Sequence, residues 1–239
     1  MKNQFDALID DLKAAHGNNL AAVILYGSAA SGDFVREKSD YNLLIALREI
    51  TPKDLRAAQA SMREWNRMGH PVPVYFTVNE LKNAADVFPI EFHQMENARR
   101  VLYGADFLEN VQISDEFLRH QTEYELRSKL IRLRRRYIGA SASADSLASL
   151  MTNSLGSFIA LFRAALLLYG VQPPNTKREI IAATVRQFRI DVDSFEKILA
   201  IRENKSSNRL DEASANRLFA EYLRQIETVI EAVDRLEKS

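Results

Sequence analysis

The chain has 239 residues, of which 46% are hydrophobic and 27% are charged, so its length and composition predict one large or two modest globular domains. It contains no cysteine, which excludes disulfides, thiolate metal sites and thiol nucleophiles and favours a cytoplasmic location. Its 32 basic and 32 acidic residues give zero formal net charge, which argues against a surface devoted wholly to nucleic acid.

The first segment carries apolar residues at helical spacing and ends at Gly17. The pattern predicts a surface helix that packs on a sheet. Its apolar residues are Phe5, Leu8, Ile9 and Leu12. We expect no secretion leader here, and no uncharged apolar span long enough to cross a bilayer anywhere in the sequence, so membrane association is not expected.

Residues 20–26 form a continuous apolar run, typical of a buried strand, and Gly27-Ser28 is followed by four small residues. The main chain of such a turn can approach a phosphate closely. The next strand begins with Asp40-Tyr41-Asn42. Because side chains alternate along a strand, Asp40 and Asn42 are expected on the same face, towards the Gly-Ser turn.

Further elements follow in order. Thr51 and Pro52 predict the start of a helix that ends near Gly69. Residues 71–78 predict a third strand, and its two prolines favour a sheet edge or a strand start. A helix is expected from Asn79. Residues 99–106 resemble a stretch that, in a known family, closes a sheet with a short strand and a Tyr-Gly-x-Asp turn. Tyr103-Gly104 is interpreted as a helix C-cap that packs on the sheet.

From Ser114 the pattern is helical only, and the expected domains are residues 1–110 and 111–239. The first long helix is predicted to bury a stripe that consists of Phe117, Tyr124, Leu126, Leu130, Leu133 and Tyr137. Residues 147–169 predict an apolar helix at the centre of a bundle, in which Arg163 would need a partner carboxylate. Two later features are a capping box at Thr176 and a last helix over 213–236.

The motif of Gly27-Ser28, about a dozen residues, then Asp40-x-Asn42 resembles the nucleotidyltransferase superfamily, with its DNA polymerase β-like fold. The resemblance implies an α/β (α+β) domain with a small mixed sheet, followed by an all-α helical bundle. It also implies that Gly27 and Ser28 bind the phosphates of a nucleoside triphosphate. Asp40 corresponds to the first of the family's carboxylates that hold Mg²⁺, and Asn42 stands at the position of the second.

This sequence departs from the family in its acids. An amide oxygen such as that of Asn42 brings no charge to a Mg²⁺ site, and the strand over 72–77, where the resemblance places the third acid, has no carboxylate. Glu91 and Glu80 are the nearest substitutes. Glu80 is more simply a first-turn helix residue that complements the helix dipole.

Three functions remain open. The first is a protein that binds a nucleoside triphosphate with weak or lost transfer, a pseudoenzyme. The second is an active nucleotidyltransferase that acts on a small molecule or protein and uses Glu91 or a bundle carboxylate. The third is a regulatory scaffold whose basic face over 127–136 binds a partner or nucleic acid, although such a run is more often a solvated helix face. The apolar helices also predict a homodimer through the bundle.

Overall fold

A computed structural model describes residues 4–30, 41–97, 99–109, 111–174, 176–203 and 210–236, with the main chain alone at Ser28, Gln94 and Asn97. Asp40 lies outside these ranges. The chain falls into two compact units, Met1–Ser114 and Asp115–Ser239. Each unit is therefore described by itself.

The first unit contains a four-stranded mixed sheet in the order β3-β2-β1-β4. β1 is antiparallel to both β2 and β4, while β2 and β3 are parallel. The strands are β1 (Leu20–Tyr26), β2 (Asn42–Leu47), β3 (Val74–Thr77) and β4 (Arg99–Gly104). The helices are α1 (Gln4–His16), α2 (Pro52–Ala57), α3 (Gln59–Arg67), α4 (Val78–Asn83) and α5 (Pro89–Asn97).

Both faces of the sheet are covered, which explains why β1 and β2 are apolar throughout. On one face, alternate residues of β1 and β2 pack with Phe5 of α1 and Trp65 of α3. On the other face, the remaining residues of the two strands pack with Leu81 of α4 and with Phe92 and Met95 of α5. Burial of these side chains from water is the main stabilising contribution to the unit. It also holds α5 against the sheet.

Local signals in the sequence begin the helices as expected. The Thr51 hydroxyl accepts a hydrogen bond from the Asp54 amide, and Pro52 opens α2. Thr77 and Glu80 form the same capping box at α4, where the Glu80 carboxylate accepts from the Thr77 amide at 2.7 Å. β3 lies at the sheet edge, where its preceding prolines cost no ladder hydrogen bond. The interpretation of Glu80 as a helix-capping residue is confirmed.

The interpretation of Tyr103-Gly104 as a helix C-cap is wrong. Both residues belong to β4, where Tyr103 pairs with Val23 and Gly104 pairs with Ala22 of β1. Gly104 has a φ of +80°, and a Cβ atom there would lie only 1.9 Å from the carbonyl oxygen of Ala21. The glycine is needed for this close approach of two strands.

His16, at the end of α1, is buried, and neither ring nitrogen has a hydrogen-bond partner among the described residues. Burial lowers its pKa from 6.5, and the nearby Asp54 carboxylate opposes this shift. The unfolded chain therefore binds more protons than the folded one below pH 6.5. The contribution of neutral His16 to the unfolding free energy is fully present above pH 6.5 and is lost as the pH falls below that value.

Replacement of His16 by leucine should reduce the pH dependence of the unfolding free energy below pH 6.5. We expect wild-type unfolding free energy to fall between pH 6.5 and 5 by at most about 1.4 kcal/mol per pH unit through this group, and the His16→Leu slope to be smaller. Urea unfolding at several pH values measures both slopes. Above pH 7.5 the slopes should agree, and equal slopes below pH 6.5 would contradict the assignment.

The second unit is a bundle of five helices among the described residues. They are α6 (Asp115–Ala140), α7 (Ala144–Leu168), α8 (Lys177–Phe188), α9 (Asp193–Arg202) and α10 (Glu212–Arg235). α7 packs against the other four, as expected for a central helix. The Thr176 capping box with Glu179 begins α8 and is confirmed. The small mixed sheet followed by a helical region matches the expected fold class.

α7 is long and apolar enough, by length and composition, to cross a membrane. Half of its most apolar stretch is buried inside the bundle. A helix at the centre of a packed bundle meets the same criterion, because it must also be apolar on most of its surface. The burial of α7 accounts for its composition.

Two side-chain predictions for this unit are wrong. Arg163 donates to the main-chain carbonyl oxygen of Pro174 at 2.6 Å rather than to a carboxylate, and burial lowers its pKa. Phe117 and Tyr124 are exposed on α6. Leu126, Leu130 and Leu133 of the predicted stripe are buried as expected. They share their face with Leu118, Arg119 and Thr122, on the side of α6 opposite Phe117 and Tyr124.

Candidate functional site

The candidate site lies where β1 ends. Tyr26, the last residue of β1, pairs with Asn42 of β2 on one side and with Arg99 of β4 on the other. Residues directly opposite each other in antiparallel strands point to the same face. The three side chains therefore share the face that α4 and α5 cover.

The chain leaves β1 through a 3₁₀ turn, Gly27–Ala29, in which the Ala30 amide donates to the Gly27 carbonyl oxygen at 2.9 Å. Gly27 has a φ of +79°, a conformation that side chains rarely adopt. A Cβ atom on Gly27 would lie 3.4 Å from Nδ2 of Asn42. The turn and Asn42, the two halves of the motif, are therefore direct neighbours.

Glu91 is an exposed residue in the first turn of α5, and α5 lies against the Gly27–Ala29 turn. Burial raises the pKa of the Tyr26 hydroxyl, and the Glu91 carboxylate raises it further. Of the two substitute carboxylates named from the sequence, Glu91 is the one that the fold brings towards the motif.

Arg99 adds a cation that the sequence analysis missed. Its Nε donates to Oδ2 of Asp106 at 2.8 Å, and its NH1 group donates to the main-chain oxygen of Glu96. Asp106 is held in turn by the Leu108 amide. The sequence feature that could have indicated Arg99 is its position at the start of β4, the strand that pairs with β1 next to the Gly27-Ser28 turn. The partly buried ion pair fixes this guanidinium, and the main chain of Arg99 pairs with that of Tyr26.

The structure brings none of the other predicted phosphate or metal ligands to the site among the residues that it describes. The side chain of Ser28 and all of Asp40 lie outside the described residues, so their roles stay predictions. β3 presents Val74 to Thr77 and no acid, as its sequence indicated. Glu80 is engaged in its capping box. Within the described ranges, no group of three or more histidine or carboxylate side chains is arranged to hold a metal ion.

The basic run on α6 is partly neutralised inside its own unit. Arg127 pairs with Glu123 and Asp234, and Arg134 pairs with Glu227 of α10. Lys129 pairs with Glu125. These contacts are those of a solvated helix face that ties α6 to α10, and nucleic-acid binding by this run stays a prediction.

The chain has a nucleotidyltransferase-like fold. A solved structure with this fold is that of spectinomycin adenyltransferase AAD(9) from Enterococcus faecialis with ATP and spectinomycin. The match covers 95% of this chain and 98% of that one, with a TM-score of 0.61 and 14% sequence identity. No family profile and no curated protein matches the chain in sequence. At this identity the likeness establishes the fold.

Proposed function

We propose that this protein binds a nucleoside triphosphate at the Gly27-Ser28 turn and Asp40, and that it transfers a nucleotidyl group slowly or not at all. The observation that carries the proposal is the neutral Asn42 side chain, placed beside the left-handed Gly27 at the end of β1. The ATP in the structure of AAD(9), which shares the fold, supports the class of ligand.

The turn suits phosphate for a simple steric reason. Gly27 and Ala29 have little or no side chain, so phosphate oxygens can approach the main-chain amides. Asn42 can donate a hydrogen bond from its amide group, which a carboxylate cannot do. A neutral donor beside the turn favours a triphosphate even when little Mg²⁺ is held there.

The donor set does not fit two Mg²⁺ ions. Mg²⁺ takes oxygen ligands, usually carboxylates and substrate phosphates, in nearly octahedral geometry. A two-metal site for nucleotidyl transfer stabilises both the attacking and the leaving oxygen, and it needs several acids close together. Here the neutral Asn42 stands where the second acid is expected, and β3 supplies no acid. The lack of these two carboxylates supports weak transfer and a weak dependence of nucleotide binding on Mg²⁺.

Calorimetric titration tests the binding step. ATP and the other triphosphates should bind wild type, with affinities that Mg²⁺ changes less than about tenfold, or 1.4 kcal/mol. Gly27→Val should weaken binding more than tenfold because the branched side chain closes the approach to the turn. Ser28→Ala and Asp40→Ala should weaken it as well.

Asn66→Ala, an exposed change on α3, is the matched control and should leave the affinity unaltered. Two results would remove the proposal: no triphosphate binds wild type, or all three site variants bind as wild type does.

A second candidate, an active nucleotidyltransferase, is favoured by one observation. α5, which carries Glu91 in its first turn, lies against the Gly27–Ala29 turn. A carboxylate in this position could complete a one-metal site with Asp40. The candidate therefore requires that wild-type transfer depend on Glu91 and not on other exposed acids of α5.

A further inference from the structure

Arg99 makes two contacts that connect its strand to other parts of the first unit. Its Nε donates to Oδ2 of Asp106 at 2.8 Å, and its NH1 group donates to the main-chain oxygen of Glu96 at 3.1 Å. The other oxygen of Asp106 accepts from the Leu108 amide at 3.0 Å. One guanidinium therefore joins the end of α5, the start of β4 and the segment that follows β4.

The ion pair between Arg99 and Asp106 is partly shielded from water. The two side chains keep 18% and 27% of their surface exposed, so solvent screens their attraction less than that of an open surface pair. Leu108, whose amide holds Asp106, belongs to the same buried cluster as Phe92 and Met95 of α5. The pair is therefore attached to the core that holds α5 on the sheet.

The two elements that the ion pair joins also border the phosphate turn. The main chain of Arg99 pairs with that of Tyr26, the residue directly before Gly27. α5 lies against the Gly27–Ala29 turn. The position of this turn therefore depends on how the end of α5 is held relative to the start of β4.

We propose that Arg99 is a positioning residue for the phosphate turn and that Asp106 holds Arg99 in place. The proposal rests on the proposed function, in which the Gly27-Ser28 turn binds a triphosphate. A glycine such as Gly27 has many accessible main-chain conformations, so neighbouring elements must hold its amide in one arrangement. Donors that are ordered before the ligand arrives bind it more tightly, because less ordering is left for the binding step.

An ion pair of this kind can also serve stability alone, and the two roles predict different results. A purely structural pair lowers the unfolding free energy of the unit and leaves the phosphate affinity of the folded protein unaltered. A positioning pair changes the phosphate affinity of variants that are still folded, because the amides of the turn are then less well ordered. The test must therefore measure affinity in folded protein.

Calorimetric titration of the full chain with ATP and with inorganic tripolyphosphate measures this affinity. Asp106→Asn and Arg99→Gln should each weaken both ligands by about tenfold in samples that urea unfolding shows to be folded before titration. Tripolyphosphate has no base or sugar, so its loss reports on the phosphate turn. Glu64→Gln breaks the exposed pair between Arg67 and Glu64 of α3 and should bind both ligands as wild type does.

Two further variants test whether the residues act as a unit. If Asp106 acts only by holding Arg99, the double variant Arg99→Gln/Asp106→Asn should bind tripolyphosphate about as weakly as Arg99→Gln alone. Arg99→Lys keeps a cation for Asp106 and should recover part of the affinity. If Arg99→Gln does not fold, Arg99→Lys and Asp106→Asn carry the test.

Isotopic labelling of glycine observes the turn without any ligand. The chain has eight glycines, so their amide resonances are few, and Gly27→Val identifies the resonance of Gly27. This resonance should shift in Asp106→Asn and stay in place in Glu64→Gln.

Three results would overturn the proposal. One is a set of folded Arg99 and Asp106 variants that bind tripolyphosphate as wild type does. Another is a double variant whose loss is the product of the two single losses. The last is a Gly27 resonance that does not shift in Asp106→Asn. If wild type binds neither ATP nor tripolyphosphate, the proposed function fails, whereas a shift of the Gly27 resonance would still support the positioning of the turn.

Discussion

Replacement of Gly104 by alanine should destabilise the first unit by about 3 kcal/mol or more. The added Cβ atom would lie 1.9 Å from the Ala21 carbonyl oxygen and 2.9 Å from Cα of Ala22. These are main-chain atoms of β1 and cannot rotate away. The φ of +80° adds the cost of a left-handed conformation, so two penalties act at one residue.

The matched control is Gly69→Ala in the same unit. Gly69 has a φ of +91°, but a Cβ atom there would meet nothing within 4 Å. Gly69→Ala should lower the unfolding free energy by about 1 kcal/mol, because only the left-handed backbone conformation opposes the new side chain. Urea unfolding followed by tryptophan fluorescence measures the unfolding free energy of both variants. The signal reports on this unit, because Trp65 is the single tryptophan and is buried in it. Equal losses in the two variants would show that β4 does not approach β1 as described.

Replacement of Asn42 by aspartate should change ATP binding in opposite directions with and without Mg²⁺. With Mg²⁺ we expect affinity to rise at least tenfold, or about 1.4 kcal/mol, because a second carboxylate joins Asp40 at the motif. Without the metal, the new charge beside the phosphate turn should repel the triphosphate and weaken binding. Calorimetric titration under the two conditions measures both effects.

Asn66→Asp makes the same charge change at an exposed residue of α3 and should leave both affinities close to those of wild type. A shift of Asn42→Asp in the same direction under both conditions would contradict the placement of Asn42 beside the phosphates. The reversal of sign is the useful part of the experiment, since a general loss of folding would lower both affinities.

An assay of pyrophosphate release decides between weak and active transfer. Release of pyrophosphate from ATP in the presence of Mg²⁺, with a hydroxyl-bearing small molecule as acceptor, should be slow in wild type and faster in Asn42→Asp. If wild type is instead active, Glu91→Gln should abolish the release, while Glu96→Gln on the same helix should not. That pair of results would favour the active nucleotidyltransferase over the binding protein.

The sequence by itself determined the local elements and the class of fold. Capping boxes such as Thr51 with Asp54 and Thr176 with Glu179 act within one helical turn, so neighbouring residues are enough to predict them. The apolar run over residues 20–26 required burial on both faces, which a central strand supplies. The Gly27-Ser28 and Asp40-x-Asn42 motif then indicated the nucleotidyltransferase fold.

Only the tertiary structure decided which distant residues meet. α5 lies against the Gly27–Ala29 turn because Phe92 and Met95 anchor it on the sheet, and nothing in its own segment indicates that contact. Tyr103 and Gly104 form a strand because β1 offers an open edge for pairing. The exposure of Phe117 and Tyr124 depends on which face of α6 the bundle buries. Contacts of this kind depend on packing between elements far apart in the chain, and periodicity within one element cannot specify them.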